Sequence, residues 1–242
     1  MISKNQIKLI TGLHQKKYRQ IHQLFIAEGE KIISELIDAN YELEQLYVTE
    51  FKDSGTLSSK ALVILESDLK KISCLSTPNN CLAIFKIPAK KSISNYGLKV
   101  VLDDVQDPGN LGTIIRLCDW FGISDLICSL NTADLYNPKV VQATMGSIAR
   151  VTVTYSDIEL YLQKADVPIF GTFMDGVNVY NQNLPKNAIL VLGNEGNGIS
   201  PEIEALVTKK IAIPRYGAIQ KTESLNVASA TSIFLSEFKR GC

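Results

Sequence analysis

A glycine-rich loop follows an apolar run at Leu190–Ser200, which reads LVLGNEGNGIS. Such a loop first suggests phosphate binding, because glycine lets the backbone approach a ligand closely. A triphosphate-binding loop needs a lysine and then a Ser or Thr after its last glycine, but Gly198 is followed by Ile199 and Ser200. A dinucleotide-binding loop reads G-x-G-x-x-G in the first βαβ unit, but these glycines read G-x-x-G-x-G late in the chain. Glu195 would also repel a pyrophosphate, so the loop predicts either a different ligand or a tight turn.

Two further segments place polar side chains where a strand is expected to give way to a helix. NLGTIIRLCDWFG carries Asn110 and Arg116, and IPRYGAIQKTESLN carries Ser224 and Asn226. Amides, hydroxyls and guanidinium groups can orient a substrate and stabilise developing negative charge. They also have ordinary structural roles, since Asn and Ser cap helices and Arg lies on solvent-facing helix surfaces. Taken singly, these side chains leave both interpretations open.

Composition argues against several other kinds of site. The chain has 242 residues, of which 45% are hydrophobic and 21% charged, as in an ordinary soluble globular protein. Its two histidines, His14 and His22, lie near the start, which disfavours a histidine-based triad or metal centre. The five cysteines form no C-x-x-C pair, so we expect no structural zinc and a reducing cytoplasm. The sequence lacks an apolar run of the ~20 residues that span a membrane and an N-terminal apolar core typical of secretion signals. We therefore expect a cytoplasmic protein with neither a membrane nor a metal partner.

The net charge is zero, but the first 31 residues are basic. This segment has only two acidic residues, Glu28 and Glu30, but six basic ones: Lys4, Lys8, Lys16, Lys17, Arg19 and Lys31. A local positive face can bind phosphates while the whole chain stays neutral. The alternative is a helix surface that is merely solvated.

The first 90 residues alternate short apolar strands with helices. Strands are predicted at 24–27, 45–48, 61–65 and 81–87, a helix with one apolar face over 30–39, and another helix capped by Ser67. This alternation is typical of a small α/β sandwich domain, residues 1–90. The polar stretch PAKKSISNYG at 88–97 contains Pro and Gly and is the best candidate for a linker.

Residues 98–242 repeat strand–helix units and form a second predicted domain. KVVLDD at 99–104 is nearly continuous in apolar residues, as expected of a buried parallel strand. Helices are predicted after it, near 138–146 and 157–165, from Ser200, and over 224–240. The pattern predicts a mostly parallel sheet covered by helices on both faces. Ligands of such sheets bind at the carboxyl ends of the strands, where Asp103, Gly193 and Pro214 are expected.

Taken together and in order along the chain, the glycine-rich loop and the two polar segments resemble motifs of the SpoU (TrmH) family of RNA ribose methyltransferases, in the SPOUT superfamily. The resemblance covers roughly 98–240, and FIAEGEKIISELI and TPNNCLAIFKIP in the first half look like the RNA-binding accessory domain of that family. It is carried by these residues: Asn110, Gly112, Arg116, Gly193, Glu195, Gly198, Ile213, Pro214, Ser224, Leu225 and Asn226. The gap from Ile213 to Leu225 is a few residues longer than in many members, and Arg215 replaces a small apolar residue.

The resemblance implies a fold and a cofactor. The C-terminal strands and helix would thread through a loop to form a trefoil knot, an exception to the rule that chains are unknotted. S-adenosylmethionine would lie bent among backbone loops of the knot, and this neutral-to-cationic ligand tolerates Glu195. Its predicted binding residues are Gly193, Gly198, Ile213, Pro214 and Leu225, which act largely through main-chain groups and apolar walls.

The resemblance also implies an activity, methylation of a ribose 2′-hydroxyl in structured RNA by a homodimer. The catalytic residues would be Asn110, Arg116, Glu195, Ser224 and Asn226. Arg116 could act as a base, as is often assigned in the family, or as an electrostatic clamp, which suits a guanidinium better. Lys16, Lys17 and Arg19 would contact RNA phosphates. The accessory domain favours ribosomal RNA, and the alternatives are a transfer-RNA methyltransferase, a catalytically silent RNA-binding relative and an unrelated α/β nucleotide-binding protein.

Overall fold

The computed structural model describes residues 2–50, 60–89, 92–94, 96–217, 219 and 224–240. The chain divides into two units, the first formed by Met1–Lys90 with Asp134–Ala149 and the second by Lys91–Ala133 with Arg150–Cys242. Residues 134–149 therefore join the first unit, although they lie within the range 98–242 expected for the second domain. The predicted boundary between 90 and 98 stays a prediction.

The first unit is built on a four-stranded sheet in the order β1-β4-β2-β3. Its elements are α1 (Lys4–Gly12), α2 (Lys16–His22), β1 (Leu24–Glu28), α3 (Glu30–Asp38), β2 (Leu43–Val48), β3 (Ala61–Val63), α4 (Glu66–Ile72) and β4 (Cys81–Lys86). Strands β1 and β2 pair antiparallel with β4, and β3 pairs parallel with β2. The predicted α/β alternation is thus present. The predicted cap of α4 is wrong, because the helix begins before Ser67, with Glu66 and Asp68 in its first turn, where negative charge favours a helix N-terminus.

The second unit is a six-stranded sheet in which every neighbouring pair is parallel. Its strands are β5 (Leu98–Leu102), β6 (Asp125–Cys128), β7 (Thr152–Tyr155), β8 (Ile169–Asn178), β9 (Ala188–Leu192) and β10 (Lys209–Ala212), in the order β10-β8-β9-β5-β6-β7. Every residue of β5, β6 and β9 is buried. Such central parallel strands explain the continuous apolar runs of the sequence, and the predicted parallel α/β sheet is confirmed.

Helices flank this sheet. In chain order they are α5 (Pro108–Trp120), α7 (Ile158–Gln163), α8 (Pro201–Glu204) and α9 (Val227–Lys239), whereas α6 (Pro138–Thr144) belongs to the first unit. The apolar face predicted for α5 is buried at Leu111, Ile114, Ile115 and Cys118, all at 0% exposure. Helix α9 begins three residues later than predicted, because the Asn226 side chain accepts hydrogen bonds from the amides of Ala228 and Ser229. The trefoil knot implied by the resemblance stays a prediction.

Residues 134–149 pack into the first unit through several kinds of contact. Asp134 forms an ion pair with Arg19, and the rings of Tyr136 and Phe25 lie 4.7 Å apart between centroids. Helix α6 packs against β1. Local pattern in the sequence does not reveal these contacts, since they join residues more than 100 positions apart. Across the described residues, we find no helix long and apolar enough to cross a membrane.

Candidate active site

The carboxyl ends of β5, β9 and β10 lie along the same edge of the parallel sheet, with β5 next to β9 and β8 between β9 and β10. The residues that follow these strands are Asp103, Gly193 and Ile213. Parallel α/β sheets bind ligands at this edge because loops and helix N-termini converge there. The edge on which the sequence predicted a ligand site therefore exists and carries these three residues.

Asp103 and Asp104 form hydrogen bonds to the two ends of the glycine loop, residues 193–200. The Asp103 carboxylate, 6% exposed, accepts hydrogen bonds from the backbone amide and hydroxyl of Ser200, both at 2.7 Å. The carbonyl of Asp104 accepts a bond of 2.7 Å from the side-chain amide of Asn194. Asp104 has a left-handed backbone, with φ of 58°, and its amide and carboxylate both bond the Ser129 hydroxyl. Asp103 was expected at this edge from the sequence, but its hydrogen bonds to the glycine loop were not; their only signal in the sequence is two acids directly after a buried strand.

The glycine loop is itself a tight turn. Asn194 and Gly198 exchange backbone hydrogen bonds of 2.8 and 2.9 Å, and Gly198 has a φ of +73°. A Cβ on Gly193 would lie 2.1 Å from the carbonyl carbon of Gly198, so the close approach of the two arms requires glycine there. A Cβ on Gly196 would meet no atom closer than 3.6 Å. The turn and ligand interpretations are therefore compatible, because the turn brings backbone groups to the strand ends.

A chain of side-chain hydrogen bonds joins the three motifs. The Glu195 carboxylate accepts a bond of 2.9 Å from the side-chain amide of Asn110. The Asn110 carbonyl oxygen in turn accepts a bond of 2.8 Å from the side chain of Asn226. Glu195 also accepts bonds from the backbone amides of Gln106 at 3.3 Å and Asp107 at 3.2 Å. Residues that lie 85 and 116 positions apart in sequence thus form one polar cluster.

The N-cap residue of α5 is not Asn110, for which the sequence left a capping role open, and this leaves the Asn110 side chain to the polar cluster. Asp107, not Asn110, is the N-cap residue, and it accepts a bond of 2.8 Å from the Asn110 backbone amide. The Asn110 side chain is therefore available to bridge Glu195 and Asn226. Asn226 both caps a helix and joins the cluster: its side-chain oxygen caps α9, while its side-chain amide donates a hydrogen bond to Asn110.

Glu195 is held as a carboxylate. Burial by itself raises its pKa, but hydrogen bonds from the Asn110 side chain and from the amides of its own residue, Gln106 and Asp107 outweigh burial and lower the pKa. Donors to a charged carboxylate favour its ionised form. A carboxylate of lowered pKa is a weak base, so the geometry assigns Glu195 the task of holding the two loops together; a catalytic role stays a prediction.

Arg116 lies on α5 beyond this cluster and is exposed. Within the described part of the chain its guanidinium makes no hydrogen bond or ion pair, so its charge is not neutralised there. Its neighbours Ile115 and Cys118 are buried on the opposite, apolar side of the helix. Helix α5 packs against α9, which brings the first motif beside the third.

The remaining predicted cofactor residues have the chemistry of an adenosine site. Ile213 and Pro214 are half-buried after β10, and Leu225 is 49% exposed; Ser224 is exposed beside it. Apolar side chains next to loop backbone suit a purine and ribose, and a loop with one glutamate and no lysine suits a cationic sulfonium better than a phosphate. S-adenosylmethionine therefore fits the groups at this edge. Residues 218 and 220–223 of the third motif lie outside the described residues.

The predicted RNA-contacting residues separate into two kinds. Lys16 and Lys17 are exposed on α2. Arg19 is only 2% exposed, and its guanidinium is bonded to Asp134 and to the carbonyl of Leu13. The prediction of a phosphate contact for Arg19 is therefore wrong, because its charge is already paired inside the first unit. Among the described residues we find no group of three or more His, Cys, Asp or Glu that could hold a metal ion.

Comparison with known families agrees with this geometry. Residues 97–236 match the SpoU rRNA Methylase family, and residues 4–83 match the MRM3-like substrate binding domain. The first match spans the whole polar cluster, and the second spans β1, β2 and β3 and the start of β4 in the first unit.

Individual proteins are similar over nearly the full chain. The 23S rRNA (guanosine(2553)-2′-O)-methyltransferase RlmP of Bacillus subtilis (strain 168) is 29% identical, and the alignment covers 96% of each protein. The structure of a TrmH-family protein from Porphyromonas gingivalis is 41% identical, with a TM-score of 0.86 and 99% of both chains covered. An AdoMet-bound rRNA methyltransferase from Sinorhizobium meliloti is 29% identical, with a TM-score of 0.88 over 99% of this chain and 97% of that chain.

Proposed function

The chain belongs to the SpoU rRNA methylase family, and we propose that it transfers a methyl group from S-adenosylmethionine to a ribose 2′-hydroxyl of ribosomal RNA. The observation that carries this proposal is the chain Glu195–Asn110–Asn226, which gathers all three family motifs at the carboxyl edge of the sheet. The full-length similarity to a ribosomal RNA methyltransferase supports the substrate class.

The protein residues divide the work between cofactor and substrate. S-adenosylmethionine supplies an activated methyl group when it is bound. Gly193, Gly198, Ile213, Pro214 and Leu225 would hold it, with main-chain groups toward its polar atoms and apolar walls toward its purine. Asn110, Ser224 and Asn226 lie beside this edge and would orient the ribose, which accelerates the reaction by positioning.

Arg116 would act on the substrate side. A guanidinium stays protonated at any physiological pH, so it serves better as a clamp on a phosphate or as a stabiliser of negative charge on the 2′-oxygen than as a base. Its exposure, and the absence of an ion-pair partner among the described residues, leave its charge available to RNA. The intact polar cluster argues against the catalytically silent alternative.

Ribosomal RNA is favoured over transfer RNA because the similarity to RlmP extends through the accessory unit. The test is to incubate the full-length protein with labelled S-adenosylmethionine, EDTA and either total ribosomal RNA from a strain lacking the gene or transfer RNA. We expect one ribose-methylated nucleotide in ribosomal RNA by mass mapping, with no metal required. Methylation of transfer RNA alone, methylation of a base, or a need for added metal would each contradict the proposal.

A homodimer in the cytoplasm completes the proposal. The apolar residues of α9 do not by themselves support a dimer, since Val227, Ala228, Phe234, Leu235 and Phe238 are already buried within one chain. Support comes instead from Trp120 at the end of α5, which is 84% exposed, and from the general preference of soluble proteins for two-fold pairs. Within the described ranges, the cysteines at 74, 81, 118 and 128 form no disulfide, as is usual in a reducing compartment.

A further inference from the structure

Helix α2 buries one side chain in the first unit, and its other side chains are exposed. Arg19 is its single buried residue, with hydrogen bonds of 2.8 Å to the Leu13 carbonyl and 3.0 Å from its Nε to Asp134. The other six residues of the helix are exposed. They include Tyr18 at 39% and Ile21 at 62% exposure, although apolar side chains of that size usually gain by burial.

The exposed residues of α2 form a surface that combines aromatic rings with cations, and we call it the α2 face. It consists of Lys16, Lys17, Tyr18, Ile21 and His22. The rings of Tyr18 and His22 are nearly parallel, with an interplanar angle of 13° and a centroid distance of 6.5 Å. Tyr18 also lies against Gly12, where a Cβ would be 3.5 Å from the ring. The helix therefore holds two aromatic planes in a common orientation beside two ammonium groups.

The positive charge around the α2 face favours an anionic partner. Residues 2–27 contain no Asp or Glu, while Lys4, Lys8, Lys16 and Lys17 are exposed. Within the described part of the chain Lys16 and Lys17 have no ion pair. Lysines that lack a local acid bind phosphates with release of counterions.

We propose that the α2 face binds unpaired nucleotides of the RNA substrate, with a base stacked on Tyr18, next to the parallel ring of His22, and the flanking phosphates at Lys16 and Lys17. Stacking on aromatic planes next to basic side chains is how proteins hold single-stranded nucleic acid. A base inside a duplex has both faces covered by its neighbours, so the rings select an unpaired segment. The pair Arg19–Asp134 positions the face and takes no part in the contact. This inference rests on the proposed function, since it names where the RNA substrate is held.

The test compares two kinds of variant by RNA binding at several salt concentrations. The probes are a single-stranded oligoribonucleotide and a perfect duplex of the same length. Tyr18→Ala should weaken binding of the single strand roughly 5- to 100-fold, the effect of losing one stacked base, with an unchanged salt slope. Lys16→Ala with Lys17→Ala should instead reduce the salt slope by roughly 1.4, about 0.7 for each single-strand phosphate contact.

Matched controls separate this inference from the proposed function. Tyr18→Phe keeps the ring and should bind like wild type, and Tyr18→Ala should bind the duplex as wild type does. All variants should retain the wild-type melting temperature and the wild-type affinity for S-adenosylmethionine. Equal binding of the single strand by Tyr18→Ala and wild type would overturn the α2 inference while leaving methyl transfer intact. Displacement of RNA by polyglutamate at equal charge concentration would also overturn it, in favour of an acidic protein partner. Failure of wild type to bind any RNA would instead count against the proposed function.

Discussion

Arg116 and Arg19 have the same side chain but differ in burial, and this difference underlies the different roles proposed for them. Arg19 is 2% exposed and paired with Asp134, whereas Arg116 is exposed on α5. A buried cation requires a partner because loss of its water is costly. An exposed cation beside a ligand site keeps its charge for the ligand.

Replacement of Arg116 by alanine should remove most methyl transfer and leave cofactor affinity unchanged. The arginine is proposed to act on charge that develops in the transition state, and loss of one such group typically costs about 10²–10³ in kcat. Single-turnover transfer to ribosomal RNA measures the loss, and calorimetry measures the affinity for S-adenosylmethionine. Transfer at near the wild-type rate would show that Arg116 has no such role.

Replacement of Arg19 by alanine should destabilise the fold. It would leave the carboxylate of Asp134 without its partner in a largely buried position, and breaking a buried pair costs about 3 kcal/mol. Lys17→Ala on the same helix is the control and should change the free energy of unfolding by less than about 0.5 kcal/mol. Urea unfolding of both variants measures the difference. Similar small effects for the two would mean that the ion pair does not anchor α2.

At the scale of elements, the site consists of two loops that hold each other. Asp103 and Asp104, after β5, bind the ends of the glycine loop. Glu195, within the glycine loop, binds the amides that lead into α5. Because each loop supplies the hydrogen-bond partners of the other, neither loop is expected to keep its shape alone.

The two glycines of this loop should respond differently to alanine. A Cβ at 193 would collide with the backbone of Gly198 at 2.1 Å, whereas a Cβ at 196 has ordinary contacts. Gly193→Ala should therefore lower the free energy of unfolding by about 2 kcal/mol or more and weaken binding of S-adenosylmethionine. Gly196→Ala should be close to wild type in both measurements. Equal behaviour of the two variants would show that the loop relaxes without cost.

The Glu195 carboxylate gives the loops a pH dependence. Its pKa in the folded protein is lowered from the ordinary 4.5, so its contribution to stability is fully present above that value and is lost as the pH falls through the lowered pKa. Glu195→Gln lacks this titration. The stability difference between wild type and Glu195→Gln, measured by urea unfolding, should be constant from pH 7 to about 5.5 and shrink below about 4.5. A difference that stays the same at pH 4 would contradict the assignment.

At the scale of the whole molecule, chain connectivity links the two units three times, at 90/91, 133/134 and 149/150. Residues 134–149 interrupt the second unit in sequence and pack within the first unit, against β1 and the Arg19 side chain; the chain then re-enters the second unit at residue 150. The first unit is therefore not one continuous stretch of sequence.

The proposed homodimer can be tested by the mass of the protein in solution and by mixing inactive variants. Sedimentation at micromolar concentration should show one species at twice the chain mass of 26.7 kDa. If each site uses residues of both chains, mixing Arg116→Ala subunits with Leu225→Asp subunits should restore part of the activity that each variant lacks. A species at the single-chain mass would contradict dimerisation, and a dimer without restored activity would show that each site is complete in one chain.

Local sequence pattern was sufficient to predict the parallel α/β sheet and the edge of the candidate site, and to exclude phosphate-binding loops. Those features are local: continuous apolar runs predict β5 and β9, and the glycine spacing within 11 residues excludes both phosphate motifs. Three features became visible only in the folded chain: Asp103 and Asp104 hold the glycine loop, Asn110 bridges Glu195 and Asn226, and Asp134 neutralises Arg19. They depend on groups that meet across 85 to 116 residues of chain. Burial and hydrogen-bond partners at such separations arise from packing, which local sequence pattern does not encode.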